Sequence, residues 1–187
     1  MQGRRIPTRA ASLIGAALMF QAVLGGAVAH AAAPAEDTDA RTPSRAQSNV
    51  YRFVNANSGL CAGVGGSSLE EGAGVIQWEC LEIDDQAWHL NHVNNGFYHL
   101  ENINSGQCLT VATPAGDGSR VVQMPCGKHR HQGWRLDKQG GMDLRFVNYE
   151  PKMTLAVADS STRLGAPLIL SETDARVSEV WTLKPVE

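Results

Sequence analysis

The sequence predicts an all-β fold of three pseudo-symmetric repeats. Tryptophan recurs with one period, at Trp88, Trp134 and Trp181, so that the intervals are 46 and 47 residues. A fixed period of this length indicates a chain built from repeated supersecondary units. Between these positions, short β-branched and aromatic runs alternate with clusters of glycine, asparagine and serine, which is typical of strands and turns. No stretch has the length and periodicity of a substantial helix, and about four short strands in each repeat make about twelve.

Each repeat shows the same order of elements. An opening strand that ends in asparagine is predicted at residues 51–55, 98–102 and 144–148. A glycine turn before an apolar run follows at residues 72–75, 118–121 and 165–168. The three tryptophans start the last strand, and we expect them to fill one shared core. Gln86 and Gln132, two residues before a tryptophan, are expected to satisfy backbone groups.

Residues 1–31 have the pattern of a secretory signal peptide. A start with three arginines precedes a mostly apolar run, residues 10–24, and Ala29-His30-Ala31 offers small residues for cleavage. The apolar run is too short to span a hydrocarbon core of about 30 Å comfortably. We therefore expect a secreted, extracellular protein without membrane insertion.

Residues 32–48 are predicted to be a disordered linker, and residues 49–187 a single domain. The linker contains Pro34, Pro43 and alternating charges, and it has no aliphatic residue larger than alanine. Such a segment cannot bury enough apolar surface to offset the entropy lost on ordering. The remaining chain has a common size for one compact domain. Its repeats are assigned to residues 49–93, 94–139 and 140–187.

The chain that remains after signal cleavage is acidic. Removal of residues 1–31 takes away three arginines and no acidic residue, which leaves 13 basic against 19 acidic residues. Nucleic acids and anionic membranes bind clustered lysine and arginine. We therefore expect neither as a partner, and we interpret the local basic cluster, Lys128-His129-Arg130-His131, as a solvated turn.

The four cysteines are predicted to form two disulfides within repeats. Four cysteines in an exported protein permit three pairings. Because equivalent positions should bond equivalently, the repeat favours Cys61 with Cys80 and Cys108 with Cys126, at separations of 19 and 18 residues. A bridge that closes such a loop contributes about 3 kcal/mol in the chain-entropy model. The third repeat has threonine at both positions, Thr154 and Thr173.

A longer motif connects these positions: Asn-x-x-Ser-Gly-x-Cys, a glycine turn, Gln-Trp-x-Cys and Gln-x-Trp. The first copy spans residues 55–61, 77–80 and 86–88, and a second copy follows at residues 102–108, 123–126 and 132–134. The third copy keeps Asn148, Gly165 and Trp181. This pattern resembles the ricin B-type lectin repeat over the whole domain. The resemblance implies a β-trefoil, a family in which many members bind sugars in one shallow pocket per repeat.

The first repeat keeps most of a sugar pocket. A sugar presents hydroxyl groups and a face of C–H groups, so its pocket needs an aromatic platform with carboxylate or amide groups. The resemblance implies an acid after the first cysteine, an aromatic near the second, and a polar residue beside the Gln-x-Trp glutamine. Trp78 is the platform here, Asp85 is the polar group beside Gln86, and Gly63 stands where the acid is expected. Glu70 or Glu71 is a possible substitute for that acid.

The other two repeats keep less. In the second repeat, Thr110, Met124 and His131 stand at the acid, platform and polar positions, and methionine has no ring for stacking. In the third repeat, these positions hold alanine and two serines, and Glu179 replaces the glutamine. We therefore expect the third repeat to be scaffold. The candidate sugar-binding residues are Trp78, Asp85, Gln86, Gly63, Thr110 and His131.

No catalytic constellation stands out in the sequence. It has no nucleophile elbow and no phosphate-binding glycine loop, and its cysteines are assigned to disulfides. Histidines such as His89, His92 and His99 are better explained as surface residues than as metal ligands, since no matching carboxylate or cysteine accompanies them. The acidic pair Asp84–Asp85 is better explained as a solvated loop than as a glycosidase dyad. We expect neither an enzyme nor a bound cofactor or metal.

Two functional hypotheses follow. The first is a secreted carbohydrate-binding protein, with a sugar or polysaccharide as its partner. The second is a degenerate β-trefoil that contacts another extracellular protein, for example as an enzyme inhibitor. Trp78 together with Asp85 favours the first hypothesis, whereas loss of the acid after the first cysteine in all three repeats favours the second.

Overall fold

The computed structural model describes residues 49–187, so the predicted signal peptide and linker, residues 1–31 and 32–48, lie outside the described residues. The described chain contains twelve strands, five short 3₁₀ turns and no α-helix, as the all-β prediction requires. None of its helical segments is long and apolar enough to cross a membrane.

Each repeat contributes four strands. The first repeat contains β1 (Val50–Asn55), β2 (Cys61–Val64), β3 (Val75–Trp78) and β4 (Trp88–Asn94). The second contains β5 (Phe97–Asn102), β6 (Gln107–Val111), β7 (Val121–Pro125) and β8 (Trp134–Gly140). The third contains β9 (Asp143–Asn148), β10 (Thr154–Val157), β11 (Leu168–Ser171) and β12 (Trp181–Pro185). The 3₁₀ turns are Gly65–Ser67, Asp84–Gln86, Arg130–Gln132, Ala158–Ser160 and Val177–Glu179.

Six of these strands form a closed antiparallel barrel. Its order is β1–β4–β5–β8–β9–β12, and β12 pairs back onto β1. The first and fourth strands of every repeat therefore belong to the barrel. Closure leaves these six strands without a free edge, which would otherwise be a site for pairing with another chain.

The second and third strands of every repeat form a hairpin outside the barrel. These hairpins are β2–β3, β6–β7 and β10–β11. Single antiparallel bridges join them pairwise, at Gly74 with Val122, Ile76 with Pro167 and Arg120 with Ile169. The three hairpins thus meet around a pseudo-threefold axis. A six-stranded barrel with three such hairpins is a β-trefoil, which confirms the predicted fold.

The repeated tryptophans lie in the core, as predicted. Trp88, Trp134 and Trp181 are fully buried. Each indole N–H donates to a backbone carbonyl of its own repeat, at 3.0, 2.9 and 3.0 Å, so no polar donor is left unpaired by burial. Phe53 and Phe146 fill the space between repeats, with ring centroids 4.6 Å apart.

Both predicted disulfides are present. Cys61 bonds to Cys80, and Cys108 bonds to Cys126. In the third repeat, the hydroxyl oxygens of Thr154 and Thr173 lie 2.6 Å apart and share a hydrogen bond. The same two positions are therefore joined in every repeat, covalently in two and by a hydrogen bond in the third.

An asparagine at the end of each opening strand holds the 3₁₀ turn before the last strand of the preceding repeat. The Asn102 side-chain amide donates to the Asp85 carbonyl at 2.8 Å. Asn55 and Asn148 make the equivalent bonds to the carbonyls of Ser178 and His131, at 2.9 and 3.1 Å. These bonds position the turns that carry the candidate residues Asp85 and His131.

Candidate functional site

A cavity of 360 Å³ in the first repeat brings four of the candidate residues together. It lies between the β2–β3 hairpin and the 3₁₀ turn Asp84–Gln86. Its lining includes Gly63, Trp78, Asp85 and Gln86. The remaining candidates, Thr110 and His131, line a separate cavity in the second repeat.

Trp78 provides an exposed ring at the edge of the first-repeat cavity. It is the last residue of β3 and 42% of its surface is exposed. Its ring lies against Gly165 of the third repeat, where a Cβ would be 3.6 Å from Trp78 Cζ3. The backbone of Gln77 also exchanges two hydrogen bonds with the third repeat, one to Ala166 and one from Gly165, both at 2.9 Å. The third repeat therefore holds the ring in place.

Asp85 provides an acceptor inside the same cavity. The residue is 8% exposed, and its Oδ1 atom has no hydrogen-bond partner among the described residues. Burial raises the pKa of this carboxyl above its ordinary value, and the nearby Asp84 charge adds to the rise, whereas the Ser67 hydroxyl opposes it. An unpaired buried acceptor is unfavourable for the folded protein. Asp85 itself lines the cavity, although its Oδ1 atom is buried.

Because Gly63 has no side chain, it leaves room for the Asp85 carboxylate. A Cβ at position 63 would lie 2.8 Å from Gln86 Cγ and 3.7 Å from Asp85 Oδ2, so a larger residue would collide with the turn. The Asp85 carboxylate therefore lies beside the position where the resemblance implies an acid. Neither Glu70 nor Glu71 lines this cavity, and Glu71 lines the second-repeat cavity instead. The suggestion that one of them substitutes for the missing acid is therefore wrong.

Gln86 acts as a positioning residue below the cavity. It is buried, its Oε1 accepts from the Leu81 N–H at 2.8 Å, and its Nε2 donates to the Glu79 carbonyl at 2.7 Å. This geometry agrees with the expectation that it satisfies backbone groups. It argues against direct contact with a sugar, because both ends of the amide are engaged with the chain that follows β3.

The second-repeat cavity is larger, at 610 Å³, and is arranged differently. The buried Thr110 hydroxyl donates to the Cys108 carbonyl at 2.7 Å and accepts from the Gln132 amide at 3.0 Å, so its bonds are internal. His131 Nδ1 lies 3.0 Å from the Glu150 carbonyl oxygen. Met124 lines this cavity at the platform position, and no tryptophan or tyrosine does. His129, which the sequence placed in a solvated turn, also lines it.

The third repeat has small, internally bonded residues at the pocket positions. Ala156, Ser171 and Ser178 are all buried. The Ser171 hydroxyl donates to the Glu172 carbonyl at 3.2 Å, and the Ser178 hydroxyl lies 3.0 Å from that of Ser160. None of these side chains offers a charge or a ring to a ligand. Within residues 49–187, no group of three or more histidine, cysteine, aspartate or glutamate residues could hold a metal ion.

Comparisons with known proteins agree with this architecture. The model of the ricin-type beta-trefoil lectin domain family matches residues 49–181. The designed threefold-symmetric protein ThreeFoil is similar over 74% of this chain and 99% of its own, with 29% identity and a TM-score of 0.72. The Macrolepiota procera ricin B-like lectin, solved with lactose, is similar over 75% of this chain and 97% of its own, with 19% identity and a TM-score of 0.65.

One similar structure belongs to a much longer enzyme. An exo-beta-1,3-galactanase from Clostridium thermocellum matches 74% of this chain but only 30% of its own, with 24% identity and a TM-score of 0.72. At this identity the likeness concerns the fold alone. No protein with a curated description matches the sequence.

Proposed function

This chain belongs to the ricin-type beta-trefoil lectin domain family, and from that premise we propose that its first-repeat cavity binds a sugar or polysaccharide. Trp78 stacks against the C–H face of one sugar ring, and Asp85 accepts hydrogen bonds from its hydroxyl groups. Gly63 keeps the space for the Asp85 carboxylate, and Gln86 holds the chain that follows Trp78. The proposed activity is binding without catalysis, and it needs no cofactor.

The observation that carries the proposal is that Asp85 lines the same cavity as the exposed Trp78 ring. A carboxylate in a partly apolar site makes stronger hydrogen bonds than a neutral acceptor. A sugar hydroxyl would donate a hydrogen bond to this carboxylate. The aromatic ring and the polar acceptor together match the two kinds of surface that a sugar presents.

We also propose that the protein acts outside the cytoplasm. Support comes from the Cys61–Cys80 and Cys108–Cys126 bridges, because disulfides persist in oxidising compartments such as the extracellular space. The signal-peptide pattern of residues 1–31 has the same implication. N-terminal sequencing of the exported protein tests this proposal, and we expect the mature chain to start at Ala32.

A second candidate function is contact with another extracellular protein through the same face. The observation that favours it is the apolar rim of the cavity, where Trp78, Leu81 and Ile83 are 42%, 40% and 39% exposed. Clustered exposed apolar side chains are typical of protein interfaces, and tryptophan is frequent among the residues that dominate their affinity.

A glycan array followed by isothermal titration calorimetry tests the sugar proposal and separates it from the second candidate. We expect saturable binding by the wild type, and Trp78→Ala should weaken it at least tenfold, as loss of a stacking platform requires. Met124→Ala is the matched control, because Met124 stands at the equivalent position of the second repeat. It should leave the affinity unchanged.

Two results would count against the sugar proposal. One is the absence of binding to any glycan by wild-type protein that unfolds cooperatively. The other is sugar binding that Trp78→Ala does not change. If Trp78→Ala instead abolished capture of one extracellular protein, with no glycan bound by the wild type, the second candidate would be supported.

A further inference from the structure

A second large cleft lies on the outer face of the β8–β9 hairpin, where the second repeat meets the third. Its volume is 810 Å³. The strand register pairs Arg135 with Val147 and Asp137 with Arg145, and all four residues line the cleft. The alternate residues of these strands, such as Trp134 and Phe146, point into the core. The segment that follows β9, residues 149–152, also lines the cleft.

This cleft is basic, although the domain is acidic. Residues 49–187 contain 11 lysine and arginine residues against 16 aspartate and glutamate residues. The cleft is lined by Arg130, Arg135, Arg145 and Lys152, with two acids, Asp137 and Glu150. More than a third of the cations of the domain therefore lie around one opening.

Ion pairs between lining residues occupy two of the four cations of the cleft. Arg130 Nη1 lies 3.0 Å from Glu150 Oε2, and Arg135 Nη2 donates to Asp137 at 2.8 Å, so both acids already have a partner. Lys152 makes no ion pair or hydrogen bond within residues 49–187.

Arg145, which lines the cleft, is paired with an acid that does not line it. Its side chain is 15% exposed, Nη1 donates to Gln139 at 2.9 Å, and Nε has no hydrogen-bond acceptor among the described residues. The nearest acid is Glu179, whose Oε2 is 3.6 Å from Nε. Glu179 is fully buried and does not line the cleft, whereas Arg145 does.

Lys152 occupies a turn position at which the other two repeats have glycine. The equivalent turns of the first and second repeats have Gly59 and Gly106, at φ of 72° and 67°. Lys152 adopts φ of 71°, a left-handed conformation that is unfavourable for a residue with a Cβ. The third repeat therefore keeps an ammonium group at the cleft at a conformational cost that glycine would avoid.

An exposed aromatic ring accompanies these cations. Tyr149 is 41% exposed, and its ring packs edge-to-face with Phe97 at a centroid distance of 4.7 Å. The Arg130 guanidinium lies 5.8 Å from the same ring. The equivalent positions of the other two repeats hold Ala56 and Ile103. Ring and cations therefore occur together at one of the three junctions.

We propose that this cleft is a second binding site, for an acidic saccharide that carries carboxylate or sulfate groups. The sugar ring stacks on Tyr149, and Lys152 and Arg145 bind the anion through charge-assisted hydrogen bonds. The site shares no lining residue with the first-repeat cavity, so it does not depend on the sugar-binding function proposed above. The site would allow the protein to bind negatively charged glycans although its own net charge is negative.

Calorimetric titration of the full mature protein with three saccharide probes, and with polyglutamate as a polyanion without sugar rings, tests this proposal. The probes are a galacturonate oligomer, a sulfated galactose oligomer and an uncharged galactose oligomer of equal length. We expect binding of at least one charged oligomer with an affinity that falls as salt rises, since exposed charges are screened. Whichever charged oligomer binds more tightly identifies the anion.

Two variants and two controls locate the binding. Lys152→Gly should weaken the charged oligomer about two- to fivefold, as expected for one exposed ionic contact, without lowering the melting temperature. Tyr149→Ala should weaken it as well. Lys184→Ala removes the same charge from β12, outside the cleft, and should have no effect. The titrations are repeated in a Trp78→Ala background, where the effects of Lys152→Gly and Tyr149→Ala should persist, so failure of the first-repeat proposal is distinguishable from failure of this one.

Three outcomes would overturn the proposal. The first is equal affinity for the charged and uncharged oligomers. The second is unchanged affinity in Lys152→Gly and Tyr149→Ala. The third is binding of polyglutamate as tightly as the saccharide, which would show a general anion surface without recognition of a sugar ring.

Discussion

Trp88 in the first repeat and Trp181 in the third occupy equivalent places, and both indoles donate to a backbone carbonyl at 3.0 Å. Outside this shared core the two repeats differ. The first is closed by the Cys61–Cys80 bridge, whereas the third joins Thr154 to Thr173 by a hydrogen bond of 2.6 Å. The same architecture therefore tolerates a change from a covalent bond to a polar contact.

The pocket positions differ more than the scaffold. The first repeat has a glycine, an exposed tryptophan and a buried aspartate where the third has Ala156, Ser171 and Ser178. Small buried residues with internal hydrogen bonds satisfy the fold at these positions. The exposed ring and the buried carboxylate of the first repeat are not required by the fold. Their presence is therefore better explained by binding than by stability.

Replacement of the core tryptophans should have the largest effect, and an equal one in both repeats. Trp88→Ala and Trp181→Ala each remove a fully buried indole and its hydrogen bond, so each should lower the free energy of unfolding by about 3–5 kcal/mol. Denaturant titration monitored by circular dichroism measures both. A much smaller loss for Trp181→Ala would contradict the view that the two scaffolds are equivalent.

Exchange of the cross-links should have the next largest effect. Cys61→Thr with Cys80→Thr copies the third repeat into the first, and should lower the free energy of unfolding by about 3 kcal/mol, because the unfolded chain gains freedom. Thr154→Cys with Thr173→Cys should raise it by less, since engineered bridges often distort native geometry. Thermal melting under oxidising and reducing conditions measures both exchanges. Equal melting temperatures for all three proteins would contradict the comparison.

Asp85 should link sugar affinity to pH. Asp85→Asn should weaken sugar binding about 10- to 100-fold, as expected for loss of a hydrogen bond to a charged group. The wild-type affinity should fall as acid protonates Asp85, at a pH above the ordinary range of aspartate because burial raises its pKa. Titration calorimetry across pH measures this. An affinity in Asp85→Asn that equals the wild type, or that follows the same pH profile, would remove Asp85 from the site.

The same substitution should act on stability with the opposite sign. Because the folded-state pKa of Asp85 is raised, its contribution to stability is fully present below the unfolded pKa and is lost as pH rises through the folded value. At neutral pH, Asp85→Asn should therefore be more stable than the wild type. The gain should shrink in acid, which melting curves at both pH values can verify.

The substitution Glu179→Gln should have the smallest effect on stability. In the first two repeats, a glutamine amide donates to a backbone carbonyl and accepts from an N–H. Glu179 accepts from the Asp174 N–H at 3.4 Å, and its Oε2 has no hydrogen bond. Glu179→Gln restores the donor and should raise the free energy of unfolding at neutral pH by about 1 kcal/mol. Gln132→Glu is the reciprocal control and should lower it.

The stability difference between the wild type and Glu179→Gln should depend on pH with a definite sign. Burial raises the folded-state pKa of Glu179, so the wild type loses stability as pH rises through that value, whereas Glu179→Gln does not. The difference between the two proteins should therefore be largest at neutral pH and should shrink in acid. A constant difference in stability across this pH range would show that the pKa of Glu179 does not change on unfolding.

Much of the fold followed from sequence period alone. The interval between tryptophans placed Trp88, Trp134 and Trp181 in one core, and equivalent cysteine positions predicted both bridges. These features could be found because each repeat encodes its own strands, turns and cross-link within fewer than 50 residues. Gln86 was assigned to two roles, and its buried amide supports the structural one.

The candidate sites depend on contacts that the sequence does not show. Sequence comparison found Gly63 where an acid was expected, and the fold brings the Asp85 carboxylate beside that glycine. The basic cluster that contains Arg130 was interpreted as a solvated turn. The fold places Arg130 in a cleft with Arg145 and Lys152, which follow it by 15 and 22 residues.

By itself, the sequence determined the all-β class, the three repeats, the tryptophan core and the pairing of the cysteines, because these depend on local patterns that recur in phase. The β-trefoil followed from the resemblance of the motif to the ricin B-type lectin repeat. The tertiary structure decided which side chains face one another across repeats. Asn102 of the second repeat holds the turn of Asp85, and Gly165 of the third repeat supports Trp78. A pocket that uses supports from all three repeats exists only in the folded domain, because closure of the barrel and packing of the three hairpins against one another bring those residues into contact.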